Sequence, residues 1–211
     1  YVTATPALIY PGCDQDDKFF DTTFMPFKFC FYGKEYTKFA VSTNGIVSFD
    51  STNALRGNNW TLDPGDAIPF TGTGSQGIAP CPTPNGTLLP RAAIFGAYYD
   101  LDISDEDNFP NRKMEVRVEG TAPCRKFIIS FFEIPLYSCT DLQGTQQIVL
   151  HENTGLIDVF IGNKPACNDW NDNLGILGIM NWDRDKAVAA PGKNNTSWNE
   201  SNTGYQFVPS G

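Results

Sequence analysis

The sequence predicts an all-β protein: an antiparallel, jelly-roll-like sandwich of two sheets with long loops and disulfides. Three observations lead to this prediction. Its strongly periodic segments alternate with period two and are rich in β-branched and aromatic residues. No window carries an apolar stripe of helical period and length. Turn residues separate the segments at the short spacing that is typical of sandwiches.

The clearest strands lie on either side of recognisable turns. Residues 39–43 and 46–49 flank Asn44-Gly45, and Asn-Gly supplies the positive φ angles of a two-residue hairpin turn. Residues 147–152 and 156–161 are joined by a short loop that contains a glycine. Both pairs are therefore predicted to be hairpins.

Other strands follow from the apolar pattern. In residues 114–119, Met114, Val116 and Val118 alternate with charged residues, which predicts one face on the core and one face in water. Residues 126–133 are more continuously apolar, as expected of a central strand. Further strands are expected near residues 27–32, 92–101, 174–181 and 204–208.

The stretch of residues 52–90 has few apolar alternations and is rich in Gly, Pro, Asn and Thr. We expect a long loop that packs over a sheet or its edge. A loop of this length is either functional or a cover that blocks pairing between molecules.

The net charge of the protein limits the classes of molecule that it can bind. The 211 residues carry a net charge of −9, whereas nucleic acids and anionic membranes require clusters of Lys and Arg. Because of this charge, we expect no nucleic-acid partner. We also expect no direct membrane insertion, since no run of about 18 apolar residues occurs.

Both ends have the composition of extended linkers, so residues 1–211 are expected to be one module of a longer multidomain chain.

Six cysteines indicate the compartment. Cys13, Cys30, Cys81, Cys124, Cys139 and Cys167 are widely spaced, and no two have the close spacing of zinc or thioredoxin-like sites. An even number of such cysteines favours disulfides, which persist only in oxidising compartments. The protein is therefore predicted to be extracellular.

The order of several motifs resembles a known class of surface protein. These motifs are Phe27-Lys-Phe-Cys-Phe-Tyr-Gly33, Val41-Ser-Thr-Asn-Gly-Ile-Val-Ser-Phe49, Tyr99-Asp-Leu-Asp102, Phe127-Ile-Ile-Ser-Phe-Phe132, Thr145-Gln-Gln-Ile-Val-Leu150, Pro165-Ala-Cys-Asn-Asp-Trp170 and Leu177-Gly-Ile179. Together they are similar to a module of large Bacteroidetes adhesins that the type IX system exports and that are associated with gliding motility. More distantly, the order resembles the nidogen-type extracellular domain. The resemblance implies a non-enzymatic module on the cell surface.

Disulfide partners are only partly predictable. Cys139 and Cys167 bracket the strand pair of residues 147–161, whose return brings them to one end of the sheet, so we expect them to pair. Cys13 with Cys30 and Cys81 with Cys124 would complete the set, but six cysteines can pair in many other ways.

The densest polar cluster follows a predicted strand. Asp100, Asp102, Asp105 and Asp107 supply the hard oxygen ligands that Ca²⁺ prefers, so a calcium site is one hypothesis. A solvated acidic loop that binds nothing is the alternative.

A third hypothesis is a jelly-roll glycosidase, since Asp100 and Asp105 have the spacing of paired carboxylates on one strand. The acid and base roles cannot be assigned to such crowded aspartates, and no enzyme activity is expected.

Asp169, Trp170 and Asn171 form the best candidate for a ligand site. Aromatic rings beside amides and carboxylates are what sugar recognition uses, although most tryptophans serve packing. We therefore expect an adhesion or structural module that binds a surface glycan, a protein receptor or neighbouring domains of the same adhesin. The alternative is a calcium-assisted carbohydrate-binding module of a secreted protein.

Overall fold

Two antiparallel sheets of six strands each make up the fold of the computed structural model, which describes residues 2–3, 16–63, 65–70, 89–104 and 110–209. This confirms the predicted all-β, two-sheet class. In chain order, the strands are β1 Val2–Thr3, β2 Thr23–Phe31, β3 Lys34–Val41, β4 Ile46–Ser48, β5 Ala93–Tyr98, β6 Lys113–Glu119, β7 Lys126–Pro135, β8 Gln143–His151, β9 Ile157–Lys164, β10 Leu174–Met180, β11 Ala187–Ser197 and β12 Glu200–Phe207.

In both sheets, most strands pair with the strand that precedes or follows them in sequence. The first sheet has the order β1-β6-β7-β8-β9-β12, and the second has the order β11-β10-β5-β4-β3-β2. Each sheet is thus built around a meander of four consecutive strands, β6 to β9 in the first and β2 to β5 in the second. The alternation predicted in β6 is confirmed for Met114 and Val116, which are buried, but not for Val118, which is 43% exposed at the end of the strand.

Aromatic rings fill much of the space between the sheets. Phe49 lies 5.7 Å from Phe29 and 4.9 Å from Phe31, measured between ring centroids, and Phe39 meets Phe127 edge-to-face at 5.1 Å. Phe29 and Phe31 alternate along β2 with exposed residues, as a strand with one buried face requires. The Phe39–Phe127 contact joins the two sheets, because these residues belong to β3 and β7.

A second apolar cluster lies on the other face of the second sheet. Leu62, Ile68, Phe70 and Leu89 come from the predicted long loop and pack with strand residues such as Phe95. The described part of residues 52–90 contains no strand, so the prediction of a loop that covers a sheet is confirmed there. Residues 71–88 lie outside the described residues.

The β3–β4 hairpin is confirmed, but its turn is longer than predicted. Val41 pairs with Val47, the N–H of Ser42 donates to the carbonyl of Ile46, and only Gly45 has a positive φ, at +87°. A three-residue loop that ends in a left-handed glycine has this pattern, whereas the predicted two-residue turn would place Asn44 in that region as well.

Gln146 connects the two sheets through its side chain. From β8 in the first sheet, its Oε1 accepts from the N–H of Ala97 at 2.5 Å, and its Nε2 donates to the carbonyl of the same residue at 2.8 Å. A Cβ atom at Gly45 or Gly96 would overlap the Gln146 amide, so both positions must lack a side chain. A buried amide therefore satisfies two backbone groups of β5.

One of the expected disulfides is present. Cys139 and Cys167 are bonded, with their Cα atoms 5.9 Å apart. Cys30 and Cys124 are free and exposed, so the expected pairs Cys13–Cys30 and Cys81–Cys124 are wrong. Cys30 points outward from β2, between the inward-facing Phe29 and Phe31, which directs its thiol away from the core. Cys13 and Cys81 lie outside the described residues.

Candidate functional site

The candidate site lies where the chain leaves β5 at one end of the sandwich. Two residues beyond the strand is Asp100, and the next residue, Leu101, forms an isolated bridge with Leu136 just after β7. Asp100 is therefore held at a seam between the two sheets. Only 5% of its surface is exposed, which is unusual for a carboxylate without an ion pair.

Three carboxylates meet at this seam. One carboxylate oxygen from each of Asp16, Asp17 and Asp100 lies within 4.8 Å of the others, and we call this group the Asp100 cluster. The segment that carries Asp16 and Asp17 is held by isolated bridges from Lys18 to Gly57 and from Phe19 to Ser42. Residues 84 positions apart in sequence are thus brought together by loop contacts and not by strand pairing.

Asn44 fixes the geometry of the cluster. Its Nδ2 donates to Oδ1 of Asp17 at 2.7 Å, and its Oδ1 accepts from the N–H of Leu101 at 3.0 Å. Asn44 is fully buried in the β3–β4 turn. One amide therefore contacts both sides of the cluster, a role beyond the turn-forming one that its sequence position predicted.

The electrostatic environment disfavours three negative charges at this place. Burial, followed by the charges of Asp17, Asp102 and Asp100, raises the pKa of Asp16 to about 9. Burial and the charge of Asp17 likewise raise the pKa of Asp100 to about 8, and the hydrogen bond from Trp170 opposes this shift. Without a compensating cation, the cluster therefore favours protonated carboxyls near neutral pH.

The predicted ligand residues meet the predicted metal residues here. The indole N–H of Trp170 donates to Oδ2 of Asp100 at 2.6 Å, and its ring lies 4.9 Å from that of Tyr137. Asn171 donates from Nδ2 to the carbonyl of Trp60 at 2.7 Å. Asp169 is exposed. The polar groups of Trp170 and Asn171 thus serve contacts within the protein.

The four predicted metal ligands are only partly brought together. Asp100 belongs to the cluster, whereas Oδ1 of Asp102 accepts hydrogen bonds from the N–H and the hydroxyl of Ser104 at 2.8 and 2.6 Å. Asp105 and Asp107 lie outside the described residues. Sequence reasoning missed Asp16 and Asp17, although the acidic run of residues 14–17 was a visible signal.

A small cavity adjoins Asp100 on the side of Trp170. It measures about 20 Å³ and is also lined by Tyr137, Lys164 and Asn173, and we call it the Asp100 cavity. This space holds about one water molecule and no organic substrate. The Cys139–Cys167 disulfide closes the same region, since Cys167 lines the cavity as well.

Lys164 is a buried amine beside this cavity. It is 1% exposed, and its Nζ donates to Oδ1 of Asn173 at 3.0 Å and to the carbonyl of Trp198 at 2.8 Å. The rings of Tyr99 and Trp198 each lie 4.8 Å from Nζ. Burial, with a smaller effect of Lys193, lowers the pKa of Lys164 to about 7. No ion pair joins it to any described carboxylate.

A comparison with known families assigns the chain to one of them. A family model described as NIDO related matches residues 1–209. The chain belongs to the NIDO-related family. No curated protein and no solved structure matches the chain.

Membership in the NIDO-related family agrees with the nidogen-like part of the resemblance. Together, the NIDO-related family and the disulfide indicate an extracellular domain, because disulfides persist under oxidising conditions. Among the residues that the structure describes, no helix is long and apolar enough to cross a membrane.

Proposed function

We propose that this NIDO-related domain is a non-enzymatic module displayed on a cell surface, where it acts by binding as one part of a larger adhesin. The resemblance to Bacteroidetes adhesins that the type IX system exports and that are associated with gliding motility supports the surface location. The family and the disulfide support an extracellular setting. Adhesion within that setting is the proposed task.

The observation that carries this proposal is the size of the Asp100 cavity. Asp100, whose pKa is raised to about 8, adjoins a space of about 20 Å³, which is too small for a sugar ring or a peptide. A glycosidase needs two carboxyl groups on either side of a bound substrate. Here Asp100 bonds to Trp170 and Asp102 bonds to Ser104, so both serve internal contacts.

An apolar groove supports a role in binding. It lies between β2 and β6, has a volume of about 780 Å³ and includes Phe24 and Val118, which are 72% and 43% exposed. Exposed apolar groups of this size favour a protein contact. A polypeptide is therefore the preferred partner, either a receptor or a neighbouring domain of the same chain, and a surface glycan is the alternative.

Adhesion of coated beads tests this proposal. Beads that carry the folded domain, its heat-unfolded form, or a Phe24→Ser variant would be passed over immobilised glycans, immobilised proteins and cells. We expect the folded domain to be retained on protein or cell surfaces, and the Phe24→Ser variant to be retained less. Phe160→Ser is the matched control, because Phe160 is 46% exposed on β9, outside the groove.

Two results would contradict the proposal. One is equal retention of folded and unfolded protein, which would show that the fold presents no binding surface. The other is turnover of the immobilised glycans that an Asp100→Asn substitution abolishes, which would show that the domain is an enzyme. Retention on glycans alone, lost with Asp169→Ala but not with Phe24→Ser, would favour a carbohydrate-binding module.

A further inference from the structure

We propose that Asp16, Asp17 and Asp100 bind a calcium ion that fastens the segment before β2 to the end of β5. This site differs from the one that the acidic loop of residues 100–108 predicts, because two of its three ligands come from the other side of the seam. The inference goes beyond the proposed adhesive function and does not depend on it.

The arrangement of oxygen atoms fits a cation. With one oxygen of each carboxylate within 4.8 Å of the others, a central ion can lie about 2.3–2.6 Å from all three. The remaining positions of a Ca²⁺ ion can be filled by water or backbone carbonyls, because calcium accepts irregular sets of six to eight oxygens. Asn44 holds Asp17 and Leu101 in place, so two sides of the site are preorganised.

The hydrogen bonding of Asp100 independently indicates a missing ligand. Its Oδ2 accepts from Trp170, whereas its buried Oδ1 has no hydrogen-bond partner among the described residues. Oδ1 of Asp16 is also buried and lacks a partner in the described part of the chain. A buried carboxylate oxygen without a partner is costly, and a bound cation would satisfy both atoms at once.

The chemistry of the ligands selects the type of ion. The described members of the cluster offer only carboxylate oxygens, without the imidazole or thiolate that zinc and copper prefer. Magnesium requires near-ideal octahedral geometry and loses water reluctantly, whereas calcium tolerates irregular geometry. Extracellular calcium sites are typically weak, with dissociation constants of about 0.1–1 mM.

The site has a clear structural consequence. Asp16 and Asp17 immediately precede the bridges of Lys18 and Phe19, which join the segment to the β3–β4 turn and to Gly57. A cation shared with Asp100 would add a link from this segment to β5. We therefore expect calcium to protect residues 16–20 from hydrogen exchange more than it protects the strands of the first sheet.

Calorimetry on the whole domain tests the inference. The protein would be treated with EDTA, dialysed and titrated with CaCl₂, with MgCl₂ as a separate arm. We expect one calcium per chain, and at least tenfold weaker binding in Asp16→Asn and in Asp17→Asn. Because these two residues are partly exposed, the variants should fold, whereas Asp100→Asn changes a buried residue and needs a separate check by circular dichroism.

Two controls make the result specific. Asp169→Asn removes an exposed carboxylate outside the cluster and should leave calcium affinity unchanged. Asp102→Asn removes a negative charge that lies near the cluster but outside it, so calcium affinity should fall by less than tenfold. Calcium binding that is absent, or that is equally strong in Asp16→Asn and Asp17→Asn as in the unmodified protein, would overturn the proposal.

Discussion

The indole nitrogen of Trp170 lies 2.6 Å from Oδ2 of Asp100, although the two residues are 70 positions apart in sequence. This contact joins the loop between β9 and β10 to the end of β5. It also fixes one oxygen of Asp100, whereas the other oxygen, Oδ1, has no hydrogen-bond partner among the described residues. The carboxylate of Asp100 thus lines the Asp100 cavity and also belongs to the Asp100 cluster.

Replacing Trp170 with Phe tests the contribution of this contact. Phe keeps an aromatic ring against Tyr137 but removes the donor to Asp100. We expect the free energy of unfolding to fall by about 1–3 kcal/mol in urea denaturation, because a buried acceptor loses its partner. An unchanged free energy of unfolding would show that the hydrogen bond adds nothing to stability.

Gln146→Met should be strongly destabilising. The substitution keeps the length of the side chain but leaves the buried N–H and carbonyl of Ala97 without their partner. Each unpaired backbone group costs about 1–3 kcal/mol, so we expect a loss of about 2–6 kcal/mol in urea denaturation. Gln147→Met is the matched control, since it removes only a bond to Ser130, and should cost less than about 1 kcal/mol.

The Cys139–Cys167 disulfide should contribute measurably to stability. It closes a loop with a sequence separation of 28, for which chain entropy predicts a stabilisation of about 3–4 kcal/mol. Replacing both cysteines with serine should lower the free energy of unfolding by about this amount. The matched controls Cys30→Ser and Cys124→Ser, at exposed free thiols, should change it by less than about 0.5 kcal/mol.

Lys164 should make stability depend on pH. Its pKa is lowered from 10.5 to about 7 in the folded protein, so the unfolded chain binds more protons between these two values. The contribution of Lys164 to the free energy of unfolding should therefore rise as the pH increases from about 7 toward 10.5 and should level off below pH 7. The raised pKa values of Asp16 and Asp100 act in the opposite direction up to about pH 9, so the contribution of Lys164 is measured as a difference from a variant. A shift of this size corresponds to at most about 5 kcal/mol, which the two rings and two hydrogen bonds around the ammonium group reduce.

Urea denaturation between pH 7 and 9.5 measures this dependence. The difference in free energy of unfolding between the unmodified protein and Lys164→Met should rise across this range, whereas the difference between the unmodified protein and the exposed control Lys186→Met should stay constant. If the unmodified protein and Lys164→Met had the same slope with pH, Lys164 would be protonated in the folded state and its charge would be stabilised by the surrounding rings.

Sequence periodicity predicted most strands because one buried face imposes it. It missed β11, whose sequence does not alternate in this way. Strand β11, Ala187–Ser197, contains Pro191-Gly192 and five polar residues after them, which is the composition of a turn. As the last strand of its sheet, β11 tolerates a proline that a central strand would not. Edge position is a tertiary property, so the pattern alone could not reveal it.

The candidate site was predictable only in parts. Asp100 and Trp170 each stood out in the sequence, but the contact between them depends on how two loops meet at the end of the sandwich. Asp16 and Asp17 lie in no periodic segment, and the bridges from Lys18 and Phe19 bring them to Asp100. Gln146 belonged to a motif of the resemblance, yet only the structure gives that motif its physical role.

Terbium luminescence is the most direct test of the cation site. Tb³⁺ replaces Ca²⁺ at oxygen sites and emits when a nearby tryptophan is excited, and Trp170 contacts the ligand Asp100. We predict terbium emission that CaCl₂ displaces and that Asp17→Asn abolishes, with Trp170→Phe reducing the emission and leaving calcium affinity within about tenfold. Emission that is absent, or that survives Asp17→Asn unchanged, would contradict a cation held between Asp16, Asp17 and Asp100.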